Sequence, residues 1–119
     1  LIGGTNPVPV AFNLLRSTVS DAGTISAAQM RGGVLYQSAS GGNVTMTTRT
    51  GTQIAADFPD LATGNAMMIY MASNHATNTS TIAGGTDVTG VGSLAVTQTG
   101  GAFALIKLTA TTFELVRVG

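Results

Sequence analysis

The chain has no cysteine, no tryptophan, a single histidine and a single lysine. Without cysteine there is no disulfide framework, and one imidazole cannot build a structural zinc site. Charge is scarce as well. Five Lys+Arg and five Asp+Glu make 8% of the 119 residues, against roughly a quarter in an average soluble domain. The chain therefore lacks the basic stripe that phosphate-backbone binding needs, which excludes a nucleic-acid partner. No run approaches the ~18 apolar residues of a membrane-spanning helix. Five carboxylates and one histidine are too few titratable groups to converge on a catalytic pocket, so an enzyme is not expected, nor a cofactor. A net charge of zero favours self-association over colloidal repulsion.

What is present is small and uncharged. Nineteen Thr, sixteen Gly, eight Ser and six Asn do the surface work of the missing charges. The length suits one domain. The sequence opens at Leu1 with neither an initiator Met nor a basic-then-apolar signal segment, so the expectation is that something upstream was removed or not included. Gly-Gly pairs stand at residues 3, 32, 41, 84 and 100 without a common period, and are taken as bends rather than repeats. Between them lie short runs rich in Val, Ile, Thr and Phe, the pattern of an all-β fold. The expected architecture is an antiparallel β-sandwich or jelly-roll-like barrel with one or two short helical turns.

Residues 1–22 form an expected extended arm, with a possible strand around 14–19, and residues 23–119 a single β domain. Pro7 and Pro9 in the arm lack a ladder donor, and Val8, Val10 and Phe12 alternate with polar or turn residues. Such an arm packs on a neighbour or stays mobile. Ser26-Ala27-Ala28-Gln29 has capping-box spacing and predicts a helical turn stopped by Gly32. Thr50 and Gln53 repeat that spacing before Ile54, with Pro59 ending the second turn.

The strands divide into two kinds. Val44, Met46 and Thr48 share one face, and Thr45, Thr47 and Arg49 the other, as in a half-buried strand. Three other runs have no polar face. Met67, Ile69 and Met71 oppose Met68, Tyr70 and Ala72; Phe103 and Leu105 oppose Ala104, Ile106 and Leu108; Phe113 and Leu115 oppose Val116 and Val118. An antiparallel sheet in a lone small domain wets one face and alternates cleanly. Strands apolar on both sides need two covers. A second sheet is one; a neighbouring subunit is a better second cover than two turns of helix. Met68, Tyr70, Phe103, Leu105 and Arg117 are the candidate subunit-interface residues, and a homo-oligomer the expected state. The four arginines, Arg16, Arg31, Arg49 and Arg117, suit interface ion pairs or serve equally as scattered solubilising charges.

Chemistry-bearing groups do not converge. His75, with Ser73 or Ser80 and Asp87, offers the components of a relay, but no nucleophile elbow is present. It is read as a loop or interface histidine. Asp57 and Asp60 flank Phe58-Pro59 at one helix end, where capping or solvent contact suits them better than acid–base pairing. Gly90-Val91-Gly92-Ser93-Leu94-Ala95 fits a loose dinucleotide pattern, but a β-like run follows it instead of a helix. Gly84-Gly85-Thr86-Asp87 is one copy of a motif that binds calcium only in stacks. No metal site is expected. The formal glycosylation acceptors at Asn43 and Asn78 carry little weight without a sign of secretion.

The order of segments resembles a known group. Residues 24–33 (TISAAQMRGG) precede the Thr-rich run 43–48 (NVTMTT). A short helix and Gly64-Asn65 lead into Ala66–Ser73, then 81–90 (TIAGGTDVTG) and the closing 113–119 (FELVRVG). This resembles small virion proteins of tailed bacteriophages, among them capsid decoration or cement proteins, over about residues 24–119. Where that pattern has a proline after the Thr-rich strand, this chain has Arg49-Thr50. The resemblance implies an antiparallel β-fold and trimers seated where capsid hexamers and pentamers meet, on the outer surface of the virion. The major capsid protein would be the partner, with no catalytic residue carried over. In that setting Val8, Val10 and Phe12 would form a capsid-binding arm by strand addition. A receptor- or glycan-binding tip or base of a phage fibre or spike is the alternative. It is disfavoured by the lack of Trp and by only two tyrosines, Tyr36 and Tyr70, the latter in a run that reads as buried.

Overall fold

Two capping boxes fix both helices. In the computed structural model, which describes residues 14–19, 22–37, 42–73, 78–97 and 100–119, α1 is Ala27–Gly32 and α2 is Gly51–Asp57. The Ser26 hydroxyl accepts from the Gln29 N–H at 3.1 Å, and the Gln29 side chain accepts from the Ser26 N–H at 2.9 Å. Thr50 and Gln53 exchange the same pair of bonds at 3.2 and 3.1 Å. Orphan amides of each first turn are thereby satisfied. The stop of α1 falls one residue later than expected. Gly33, not Gly32, takes the left-handed conformation (φ 81°) and returns its N–H to the Gln29 carbonyl.

The strands are β1 (Leu15–Val19), β2 (Gly23–Thr24), β3 (Gly33–Gln37), β4 (Val44–Thr47), β5 (Ala66–Ser73), β6 (Ser80–Ala83), β7 (Val88–Val91), β8 (Ala95–Val96), β9 (Gly101–Lys107) and β10 (Phe113–Arg117). They form a six-stranded sheet in the order β1-β3-β5-β9-β10-β7 and a four-stranded sheet in the order β2-β4-β6-β8. β1 lies inside the stretch expected to be an arm, yet it is a member of the large sheet.

The antiparallel sandwich or jelly-roll-like barrel expected from the sequence is not what forms. β1, β3 and β5 are mutually parallel, as are β2, β4 and β6, and β7 is parallel to β10. Only β5–β9, β9–β10 and β6–β8 are antiparallel. The fold is a small α/β type, with 49% of the described residues in strands and 14% in helices. The reason lies in the connections. Three times the chain passes along the large sheet and then the small one. After the first two passes a helix, α1 or α2, carries it back to the large sheet, and a helical crossover is what parallel neighbours require. Val34 faces Tyr70 and Val44 faces Ser80, the same step of 36 residues in both sheets. The preceding steps, Leu15 to Gly33 and Gly23 to Met46, are shorter, so the coil repeats in topology without a fixed period. After β6 the chain reverses, and β8 and β9 end the parallel stack.

One core fills the space between the sheets. Leu35, Ile69, Phe103, Leu105, Phe113 and Leu115 enter it from the large sheet, Met46, Ile82 and Val96 from the small sheet, and Met30 and Ile54 from the helices. The outer face of the small sheet is threonine-rich, with Thr24 beside Thr47 and Thr45 beside Thr81. Water accepts that face. The outer face of the large sheet is different.

Candidate functional site

Register defines the outer face of the large sheet row by row. One row crosses Ala66, Ile106, Glu114 and Thr89; the next crosses Met68, Ala104, Val116 and Val91. A third joins Arg16, Val34, Tyr70 and Ala102, and a fourth joins Thr18, Tyr36 and Ala72. Among these residues only Arg16 and Glu114 are charged, and they sit toward opposite sides of the sheet. The Arg16 guanidinium lies 4.2 Å from the centre of the Tyr36 ring, a cation–π contact that spends part of its charge within the face. Six strands at ~4.8 Å spacing and about five residues at ~3.3 Å give roughly 400 Å² in projection. A patch of that size is within the range of the largest apolar patch on a single chain, and such a patch is often functional. Leu14, Ala66, Met67, Met68 and Tyr70 surround an apolar depression of about 490 Å³ on this face.

Met68 and Tyr70 both stand on that face, 39% and 41% exposed, so Tyr70 is not buried as its sequence context suggests. Phe103 and Leu105 are corrected. They pair with Ile69 and Met67 in the β5–β9 register, point inward and are fully buried in the chain's own core. No neighbour can reach them.

Arg117 is engaged within its own chain. Its guanidinium donates to the carbonyls of Ala95 at 3.0 Å, Ser93 at 3.2 Å and Gly119, and lies 5.4 Å from the Phe103 ring centre. It braces β10 to the segment entering β8. Replacing Arg117 by leucine removes several charge-assisted bonds. The expected loss is about 2 kcal/mol, a fall of roughly 8 °C in melting midpoint. An unchanged midpoint in a calorimetric scan would show that solvent replaces the guanidinium at no cost.

The remaining cations are also spent locally. Arg49 donates from Nε to Asp57 Oδ2 at 2.7 Å and from Nη2 to Oδ1 at 3.4 Å. Arg31 donates to the Asp57 carbonyl at 3.2 Å and lies over Phe58. Lys107 donates to the Leu61 carbonyl at 3.1 Å. Asp57 is thus a structural anion at the end of α2, while Asp60 is exposed with no role in that pair. The Asn43 side chain accepts from the Thr79 N–H at 2.8 Å, tying two strand ends. No helix follows the glycines at 90–92; β8 does. Among the described residues no three His, Cys, Asp or Glu side chains come close enough to hold a metal. His75 and the arm residues Val8, Val10 and Phe12 lie outside the described residues. What the described geometry offers is adhesion through an apolar sheet. A scan against protein families, a search of curated proteins and a search of solved structures each found no match.

Proposed function

We propose that this chain is a structural virion protein that decorates a tailed-phage capsid on its outer surface, assembling as a homotrimer and bridging major capsid subunits. The observation that supports this is the apolar outer face of the large sheet. A single chain in water gains nothing from Met68, Tyr70, Val116 and Ile106 on one open surface, whereas an assembly buries them. The resemblance of residues 24–119 to phage decoration proteins supplies the setting. A trimer that touches several capsid subunits holds them through avidity, because all its contacts must break together.

The test is native mass by light scattering over a dilution series, followed by sedimentation with undecorated phage capsids. A mass near three times 11.9 kDa that survives dilution, with saturable capsid binding that raises the temperature of capsid breakage, is the expected result. A stable monomer would overturn the assembly. A trimer that ignores capsids and saturates on a glycan array would move the chain to a fibre or spike tip.

A further inference from the structure

Among the described residues, β1 is the outermost strand of the large sheet at one side and β7 at the other. The two edges are not equivalent. At β7, Phe113 donates to the Asp87 carbonyl, so alternation turns Val88 and Gly90 outward. The Val88 N–H already donates to the Gly85 carbonyl at 3.0 Å. Its carbonyl lies 2.1 Å from where a Cβ on Gly84 would stand, and Leu94 lies 2.7 Å from the corresponding point on Gly90. That edge is closed by its own chain. At β1 the Leu15 carbonyl oxygen is 2.6 Å from a Cβ built on Gly32, which places it toward β3. Alternation then turns the N–H and C=O groups of Arg16 and Thr18 outward. On the inner face of the same strand, Leu15 is 66% exposed. At the other end of the strand, a groove of about 260 Å³ lined by Thr18 and Val19 reaches the core residues Ile25 and Met46. Among the described residues, no strand pairs with this edge of the parallel stack.

The sequence of the preceding segment fits that edge. In an extended strand over residues 6–12, the odd residues present one edge and the even residues the other. Pro7 and Pro9 leave the odd edge without two donors, while Asn6, Val8, Val10 and Phe12 keep every donor on the even edge. Such a strand pairs on one side only and ends the sheet. Its direction follows from side-chain parity. Directly opposed residues share a face. In antiparallel pairing each bonded residue lies opposite a bonded residue, so Val8, Val10 and Phe12 would join Arg16 and Thr18 on the outer face. In parallel pairing they lie opposite Leu15, Ser17 and Val19 and point inward, over the uncovered leucine and the groove. Burial selects the parallel arrangement, which also continues the direction of β1, β3 and β5. A parallel neighbour cannot come from the same chain, because two residues between Phe12 and Leu15 cannot make a crossover that takes a dozen or more.

We propose that residues 6–12 of one copy add in parallel to the β1 edge of a second copy, with Val8 against Leu15, Val10 against Ser17 and Phe12 against Val19 and the groove. Head-to-tail donation of this kind makes a ring where the rotation between copies closes, and with three-fold closure three exchanges would lock the trimer proposed above; the inference rests on that self-assembly. The chain has no native cysteine, which makes the test direct. Full-length Val10→Cys and Ser17→Cys variants are purified separately, mixed, exchanged at low concentration and oxidised. A disulfide-linked dimer at least tenfold more abundant in the mixture than in either variant alone is the expected result. Removal of residues 1–13 should lower the concentration stability of the assembly at least tenfold. Wild-type protein that is monomeric at every concentration removes the assembly itself. Wild-type protein that assembles while the mixture gives no enriched dimer overturns the arm exchange alone. So does a doubly substituted chain that closes internally as a monomer, or a truncated chain that assembles normally but loses capsid binding, which would give the arm to the capsid.

Discussion

Replacing Gly51 by alanine will destabilise the protein by roughly 3 kcal/mol, the upper range of overpacking costs. Helix propensity alone argues the other way, since alanine is favoured over glycine in a helix by about 1 kcal/mol. Space decides. Gly51 is the first residue of α2, fully inside the protein, and its N–H donates to the Thr86 carbonyl at 2.8 Å. A Cβ there would stand 1.9 Å from the Thr111 carbonyl oxygen and 3.1 Å from the Asp87 Cβ. Both obstacles belong to turns that enter sheet strands, β10 and β7, so neither can retreat without disturbing the ladder they share. The melting midpoint should fall by roughly 12 °C. Gly23→Ala is the control: nothing lies within 4 Å of its Cβ position, and its midpoint should hold within about 2 °C, as for open surface changes. Equal midpoints for the two variants would mean that the turn at 109–112 yields freely.

The helices were legible because their signals are local. Ser26 with Gln29, and Thr50 with Gln53, each need only the next turn of chain to satisfy a donor, so spacing alone locates them. Strand faces were legible for a similar reason. The alternation of Met67, Ile69 and Met71 with Met68, Tyr70 and Ala72 follows from the pleat, whatever lies alongside. Strand direction was not. Alternation states which residues share a face and is silent on whether the neighbour runs with or against it. A pointer did exist in the two [Ser/Thr]-x-x-Gln boxes, each preceded by a Thr-bearing strand and followed by an apolar one. Read together, they are a repeated strand–helix–strand connection, which forces parallel neighbours; read singly, they looked like incidental turns in an all-β chain.

The same limit divides the candidate interface. A strand that is apolar on both sides does not say which side faces the core. Phe103 and Leu105 were assigned outward, and the β5–β9 register puts them inward opposite Ile69 and Met67, leaving Ala102, Ala104 and Ile106 outside. Side-chain size was the usable clue, since the bulkier Phe, Leu and Ile set fills the space between sheets and the Ala-rich set does not. The bracing role of Arg117 was not legible because its partners are backbone carbonyls from a segment over twenty residues away. No carboxylate in the sequence marks that contact.

Met68→Lys with Tyr70→Lys should convert the assembled protein to a monomer while leaving the chain folded. Both side chains project from β5, the third strand of six, into the middle of the apolar face. In an isolated chain each is about two-fifths exposed, so a lysine there reaches water by extending its stem along the sheet. The melting midpoint of the monomer should therefore change little. In an assembly that buries this face, each lysine loses water without gaining a carboxylate. The one acid among the described residues of this sheet face, Glu114, lies two strands away in β10. An unpaired buried charge costs about 3–5 kcal/mol, so the association constant should fall by at least a hundredfold per substitution. Light scattering at a concentration where the wild type is fully assembled should then report a single chain. A double variant that keeps the wild-type mass would place the interface elsewhere and leave the apolar face without a subunit to cover it.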